Sequence, residues 1–473
     1  MNQPSLPVSV SDVATLGGRA LGLERAHGNS DLTRIIETLG IAGPFEVLSP
    51  WELRDERAHH LINAGGYAAL PFGEHYAPLT EFIQTYFDMS RGMSLPQQSA
   101  SAWRAALETN LIALLAFYAP SHHDSQVFFS NSGAEAIETA LKFARTARPK
   151  ATHFINFTHA YHGKTAGALS LTPNEEYQAP FRPLLNNVVT LPYGDAQALE
   201  DKVAALGVDN IIALLVEPIQ GEGGVVHPPK DFLPTINALR ERGLLVIADE
   251  IQTGLGRCGH LFASVAHGLD PDLITLAKPL GGGILPVGAT IARREVYRAM
   301  LGGLQSKRHS STFGGGSLAM AVGLKSLEII MEEGLVERSR EVGARGLAQL
   351  KEVQRAYPEL IQEVRGAGML FALQLRPVLS SKWVSQAFAG ELPAQLGSAL
   401  ALRLLHQAGV HGCYTLNSSA TLRLTPPLNI PEETFAELLA RVARFAQCTP
   451  KAWQLPLKTP PSVLAHLARL ALR

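Results

Sequence analysis

The chain has 473 residues, of which 46% are hydrophobic and 18% charged; this supports a sizeable core and excludes wholesale disorder. Forty-one Lys and Arg stand against 42 Asp and Glu, a formal charge of -1, so no global charge favours nucleic acid or acidic lipid as a partner. The three cysteines, Cys258, Cys413 and Cys448, are too few for a disulfide scaffold and lack metal-ligand spacing.

The first residues lack the basic start and apolar stretch of a secretory signal, and no apolar run reaches the roughly 20 residues of a membrane span. A cytoplasmic location is therefore expected. Asp31 to Leu39 reads as a short helix stopped by Gly40 and Gly43-Pro44. Leu61 to Phe72 reads as the chain entering a larger domain, and Ala102 to Tyr118 as a helix. The middle third carries short apolar runs at Thr152 to Phe157, Val188 to Leu191, Ile211 to Glu217, Leu244 to Asp249 and Leu273 to Ala277. Their near-continuous hydrophobicity predicts strands covered on both faces, and their alternation with helices predicts a largely parallel α/β sheet.

From Gly323 the pattern changes. Helices are expected over Leu324 to Met331, Val336 to Tyr357, Leu396 to Ala408 and Glu432 to Ala446, with strands at Met369 to Leu375 and Leu422 to Thr425. This predicts a smaller α+β domain. The expected division is a segment 1–60 contributing to the small domain, a large domain 61–330, a small domain 331–448 and an extension 449–473. Within the extension, Gln454 to Pro461 is proline-punctuated and Val463 to Leu470 reads as a helix.

Three groups could carry chemistry. Val127 to Phe129 runs into Ser132, Gly133 and Ala134, where Ser132 and Glu135 have capping-box spacing. The free amides of such a helix start suit a phosphate, although an ordinary capped helix fits the same residues. Glu217 and Asp249 each close an apolar strand, where ligands of open sheets sit. Burial favours the neutral carboxyl, and a cation such as a protonated pyridine nitrogen would keep Asp249 charged; a salt bridge or cap is the other reading. Lys278 ends a third strand before Pro279 and Gly281-Gly282-Gly283. There it is either a solvent-facing lysine or a desolvated amine able to bind an aldehyde. Together the three match the phosphate, ring nitrogen and aldehyde of pyridoxal 5'-phosphate, and Tyr161 offers a face for stacking. His122, His123, His153, His159 and His162 lack a recognised ligand spacing, so no metal is expected.

The segments SNSGAEAIETALKFAR, AYHGKT, VEPIQGEGG, IADEIQTGLGRCG, TLAKPLGGG, STFGGG and LRLTPPL, in this order from Ser130 to Leu428, resemble the class III aminotransferases of the fold type I pyridoxal phosphate enzymes. The resemblance implies a large domain with a mostly parallel sheet and a smaller α+β domain. It also implies roles. Lys278 would carry the cofactor and move the proton, Asp249 would face the ring nitrogen, and Gln252 would neighbour the ring hydroxyl. Ser132, Gly133 and Ala134 would hold the phosphate, with Glu217 and Tyr161 beside the ring. Thr312 is similar to a threonine that reaches the phosphate in the other subunit, which implies a homodimer with shared sites. Arg423 resembles the arginine that receives the carboxylate of 2-oxoglutarate, and Glu222 the glutamate that masks it.

HGKT, with Lys164, and Thr415-Leu416-Asn417 look more like the putrescine aminotransferases than the ornithine and acetylornithine members. Lys164 offers a carboxylate only a point charge or is a solvated lysine in a turn, and Tyr67 is either at the channel entrance or a packed surface tyrosine. The expected activity is transfer of a terminal amine of a diamine, such as putrescine or cadaverine, to 2-oxoglutarate. Alternatives are an ornithine, acetylornithine or 4-aminobutyrate aminotransferase, an amino-acid racemase or epimerase on the same scaffold, and a catalytically silent member used for assembly.

Overall fold

In the computed structural model of the chain, residues 6–13, 15–89, 92, 94–378, 392–418 and 420–471 are described. The apolar runs of the middle third form strands at His153–Phe157, Val188–Leu191, Ile211–Val216, Val246–Asp249 and Leu273–Leu276. Ile211–Val216 is buried at every position, each of its Ile, Leu and Val side chains contributing roughly 1.5–3 kcal/mol by leaving water. These strands pair in parallel in the order 188–191, 153–157, 211–216, 246–249, 273–276.

Two further strands complete a seven-stranded sheet. Gln126–Ser130, which contains the short run at Val127, lies at one edge. Gly288–Ala292 sits between it and Leu273–Leu276, antiparallel to both. This strand is not anticipated from the sequence: Gly-Ala-Thr-Ile-Ala has little bulk to mark it, yet all five residues are buried.

Two four-stranded sheets lie outside the large one. Ile361–Ala367, Leu370–Leu375, Thr421–Leu424 and Cys413–Tyr414 form an antiparallel sheet. The other joins Glu46–Ser49, Glu52–Arg54 and His60–Asn63 to Val410–His411, the last pair parallel. The boundary expected after residue 60 falls inside the strand His60–Asn63, and residues 472–473 of the expected extension lie outside the described residues.

The helix Ser30–Leu39 is capped by Asn29, whose side chain accepts from the Leu32 amide, and it ends on Gly40 at φ 69°, a left-handed conformation that glycine adopts without strain. The helix expected from Leu324 instead runs Ser317–Glu332. Gly323 does not break it; a Cβ there would come within 2.9 Å of the Leu107 side chain, so this glycine permits close packing of two helices. The tail forms short helices at Gln454–Leu457 and Pro461–Ala471.

Candidate active site

The carboxyl ends of the parallel strands and the start of helix Gly133–Ala147 surround a cavity of about 430 Å³. Its lining brings together Ser132, Gly133, Ala134, Tyr161, Lys164, Glu217, Glu222, Asp249, Gln252 and Lys278. These residues span almost 150 positions of sequence, and the sheet delivers most of them by ending its strands on one side.

At the helix start the capping box forms. Ser132 Oγ accepts from the Glu135 amide at 3.2 Å, and Glu135 Oε2 accepts from the Asn131 amide at 2.6 Å. The next amides, of Gly133 and Ala134, have no intrahelical acceptors. A Cβ on Gly133 would meet Ile251 at 2.9 Å, so a larger residue would close the space beside them.

Asp249 is buried at the end of its strand. Its Oδ1 accepts from the Ile251 amide at 3.0 Å and Thr275 Oγ1 at 3.3 Å, and Oδ2 lies 2.7 Å from His162 Nδ1. His162 is also buried, and its Nε2 has no partner. In the sequence this histidine stands out only as a metal candidate, and its place beside Tyr161 in Ala160-Tyr161-His162-Gly163 is the one local signal of its role.

Glu217 follows its strand and accepts from the Tyr161 amide and the Gly221 amide, both at 3.0 Å. Burial, with the nearby Asp249 charge adding to it and His162 opposing, pushes its carboxyl up to about 7. It thus braces the two segments that carry Tyr161 and Glu222.

Lys278 stands partly open at the cavity wall. Burial pushes its ammonium down to about 8, against the opposing pull of Glu222. Its φ is 41°, in the left-handed region, where a side chain costs about 1–3 kcal/mol. The following turn, with the Leu280 amide donating to Ala277 O at 3.0 Å, holds it there.

Arg423, on the strand Thr421–Leu424, is fully buried behind Glu222. Its Nη1 donates to Glu222 Oε1 in an ion pair and to Gln252 Oε1 at 3.1 Å. Its Nε and Nη2, the two-donor edge of the guanidinium, have no partner. Burial opposes the charge of each, but the pairing wins: Glu222 is held below the usual carboxylate range and Arg423 is raised above its own. Gln252, expected beside the ring hydroxyl, lines the cavity but commits its amide to this pair, Nε2 donating to Glu222 Oε1 at 3.3 Å. A methyl on Gly221 would overlap that amide.

Tyr67 lies with its ring centroid 5.5 Å from Arg423 Cζ, at φ 48°. Lys164 carries its ammonium 3.9 Å from the Tyr177 ring centroid, a cation–π contact. Thr312 is not brought to the cavity. It is exposed on a loop that Ser311 ties back, its Oγ accepting from Asn131 Nδ2 at 3.1 Å.

These residues fit pyridoxal phosphate. The buried Asp249 carboxylate suits a protonated ring nitrogen, the uncapped amides beside Gly133 suit the phosphate, and the Lys278 amine opens on the same cavity.

Outside the cavity, Asp55, His59 and His406 place ligand atoms within 4.8 Å of one another. Asp55 Oδ1 accepts from the amides of Arg57 and His59, and Oδ2 meets His59 Nδ1 at 2.9 Å and His406 Nε2 at 3.2 Å. Arg57 and Arg403 both come within 2.9 Å of where a Cβ on Gly40 would lie. The carboxylate is satisfied without a metal ion.

The family "Aminotransferase class-III" matches residues 60–445. A putrescine aminotransferase of Pectobacterium atrosepticum is 34% identical over 91% of this chain and 89% of its own length. An amine transaminase from an uncultivated Pseudomonas species, solved in its PLP-bound form, is 28% identical with a TM-score of 0.74, covering 85% of this chain and 94% of its own. The ornithine aminotransferase of Toxoplasma gondii ME49 is 25% identical with a TM-score of 0.78, covering 94% and 99%.

Proposed function

This chain belongs to the class III aminotransferases, pyridoxal-phosphate enzymes of fold type I, and from that premise we propose that it transfers a terminal amino group from a diamine, such as putrescine or cadaverine, to 2-oxoglutarate, releasing an aminoaldehyde and glutamate. The observation that carries this reading is the buried Glu222–Arg423 pair with the Nε–Nη2 edge of Arg423 left without an acceptor. With Glu222 in place the guanidinium is neutralised and does not repel a cationic donor. With Glu222 displaced, the free edge offers a bidentate seat to a dicarboxylic acceptor.

Bound in the cavity, pyridoxal phosphate supplies an electron sink for the pair left when a proton leaves the amine-bearing carbon. Asp249 would hold the proton on the ring nitrogen, and His162 fixes the orientation of that carboxylate. The amides of Gly133 and Ala134, with the Ser132 hydroxyl, would bind the phosphate, and Tyr161 would cover the ring. Lys278 would attach the aldehyde and then move the proton. With its ammonium pushed down to about 8 by burial, a far larger fraction of it is the free amine at neutral pH than for an exposed lysine, as attack on an aldehyde and uptake of a proton both require.

Lys164 supports the diamine donor. Its ammonium rests on Tyr177 and is a point charge, ill suited to clamp an α-carboxylate. In a homodimer, Thr312 of each subunit would reach the cofactor phosphate of the other. The test is glutamate formation from 2-oxoglutarate with putrescine, cadaverine, ornithine, acetylornithine or 4-aminobutyrate. Putrescine or cadaverine should give the highest kcat/KM; glutamate only with ornithine derivatives would overturn the diamine reading. Lys278→Ala should lower turnover by at least about 10³-fold.

A further inference from the structure

Glu222 is held over Arg423 by more than the ion pair. Its Oε2 accepts from the Leu416 amide at 3.0 Å, and its backbone carbonyl accepts from the Asn417 amide at 3.1 Å. Both donors belong to the turn 415–418, between the strands Cys413–Tyr414 and Thr421–Leu424, the second of which carries Arg423. That turn is itself fastened. The buried Asn417 donates from Nδ2 to Ala160 O at 2.7 Å and accepts at Oδ1 from Asn174 Nδ2 at 3.0 Å. His159 Nδ1 lies 3.1 Å from Asn417 O, and Thr415 Oγ1 donates to Ser418 O at 2.7 Å.

We propose that the turn 415–418 is the latch of the Glu222 switch, with the Leu416 amide as its catch and Asn417 as its positioning residue. The proposal rests on the reading of Glu222 as a mask for Arg423. A carboxylate swinging off Arg423 must also abandon a backbone amide whose acceptor it is, and an amide left without an acceptor opposes the move. Loosening the turn weakens that hold while leaving Arg423 and Glu222 intact. The balance between the amine-accepting and dicarboxylate-accepting cavity is therefore set in part by a segment that does not itself line the cavity.

The latch predicts opposite changes in the two substrates. In Asn417→Ala holoenzyme, KM for 2-oxoglutarate should fall several-fold while KM for the amine rises, and this shift should disappear in a Glu222→Gln background. Asn174→Asp keeps the acceptor that caps the helix Glu175–Gln178 but removes the amide donated to Asn417; it should give a smaller shift of the same sign, and it serves if Asn417→Ala does not fold. A direct readout is amide exchange in wild-type holoenzyme. Glutarate should speed exchange of the Leu416 amide, and a diamine should not.

Both KM values moving together, or the shift persisting with Glu222→Gln, would overturn the latch, as would Leu416 exchange that glutarate leaves unchanged. Failure of the underlying switch has a different signature: Glu222→Gln alone would then leave the ratio of the two KM values at the wild-type level.

Discussion

Asp55 and Arg423 are both buried charges that tie distant parts of the chain together, and they differ in what is left over. Both oxygens of Asp55 are fully engaged, Oδ1 by two amides and Oδ2 by two imidazoles. Arg423 spends one nitrogen on Glu222 and Gln252 and leaves two without acceptors. A satisfied cluster holds structure; an unsatisfied one beside a cavity is poised for a ligand. Orphaned donors alone do not make the distinction. Arg257 has the same two nitrogens unpartnered, but its Nη1 donates to the carbonyls of Met369 and Pro426, and burial with no paired carboxylate lowers its pKa to about 10. What sets Arg423 apart is that its paired carboxylate, Glu222, lines the cavity.

The largest test of this contrast is Arg423→Met. It should raise KM for 2-oxoglutarate by about 100-fold, as expected for loss of a bidentate carboxylate seat. It should also lower stability by about 3–5 kcal/mol by stranding Glu222, and adding Glu222→Gln should restore part of that loss in urea unfolding. If the single variant were no less stable, the ion pair would not be the buried hold described above.

Asp55→Asn should do the reverse: a stability loss of about 1–3 kcal/mol with both KM values unchanged. A change in either KM would join the two clusters functionally.

Acid should find the Asp55 cluster next. Burial pushes the Asp55 carboxyl up, but hydrogen bonds from His59 and His406 outweigh it and hold it at about 2. A carboxyl depressed in the folded state contributes stability above its unfolded value of about 4, and that contribution is lost as pH falls toward 2. Burial also holds His406 below the usual imidazole pKa despite Asp55, so protonation below about 6.5 favours the unfolded chain. Both signs agree: Tm should decline from pH 7 to 3, and Asp55→Asn should flatten the lower part of that curve.

The smallest expected effect is that of zinc. With Asp55 already satisfied, added zinc should leave Tm unchanged. A rise that His406→Ala abolishes would make the cluster a metal seat.

Much of the frame is legible in the sequence because dry strands have few ways to be written. Ile211–Val216, Val246–Asp249 and Leu273–Leu276 read directly as buried strands, and Asp249 and Lys278 stand out as charged residues at their ends. Gly288–Ala292 is invisible because small residues fill a crowded position without announcing a period. Gly323 misleads because a glycine needed for close packing looks like a helix breaker. The Asp55–His406 contact joins residues 351 positions apart, and the tie of His162 to Asp249 depends on loop geometry; neither leaves a local pattern. The turn 415–418 is visible as text, but its bond to Glu222 exists only in three dimensions.

We propose that one cavity serves two substrates by moving Glu222 off Arg423. A crystal structure of the cofactor-loaded enzyme with glutarate tests this most directly. The predicted result is a glutarate carboxylate on the Nε–Nη2 edge of Arg423, with Glu222 rotated away and the Leu416 amide released. Glutarate bound elsewhere, or bound while Glu222 remains paired with Arg423, would contradict it.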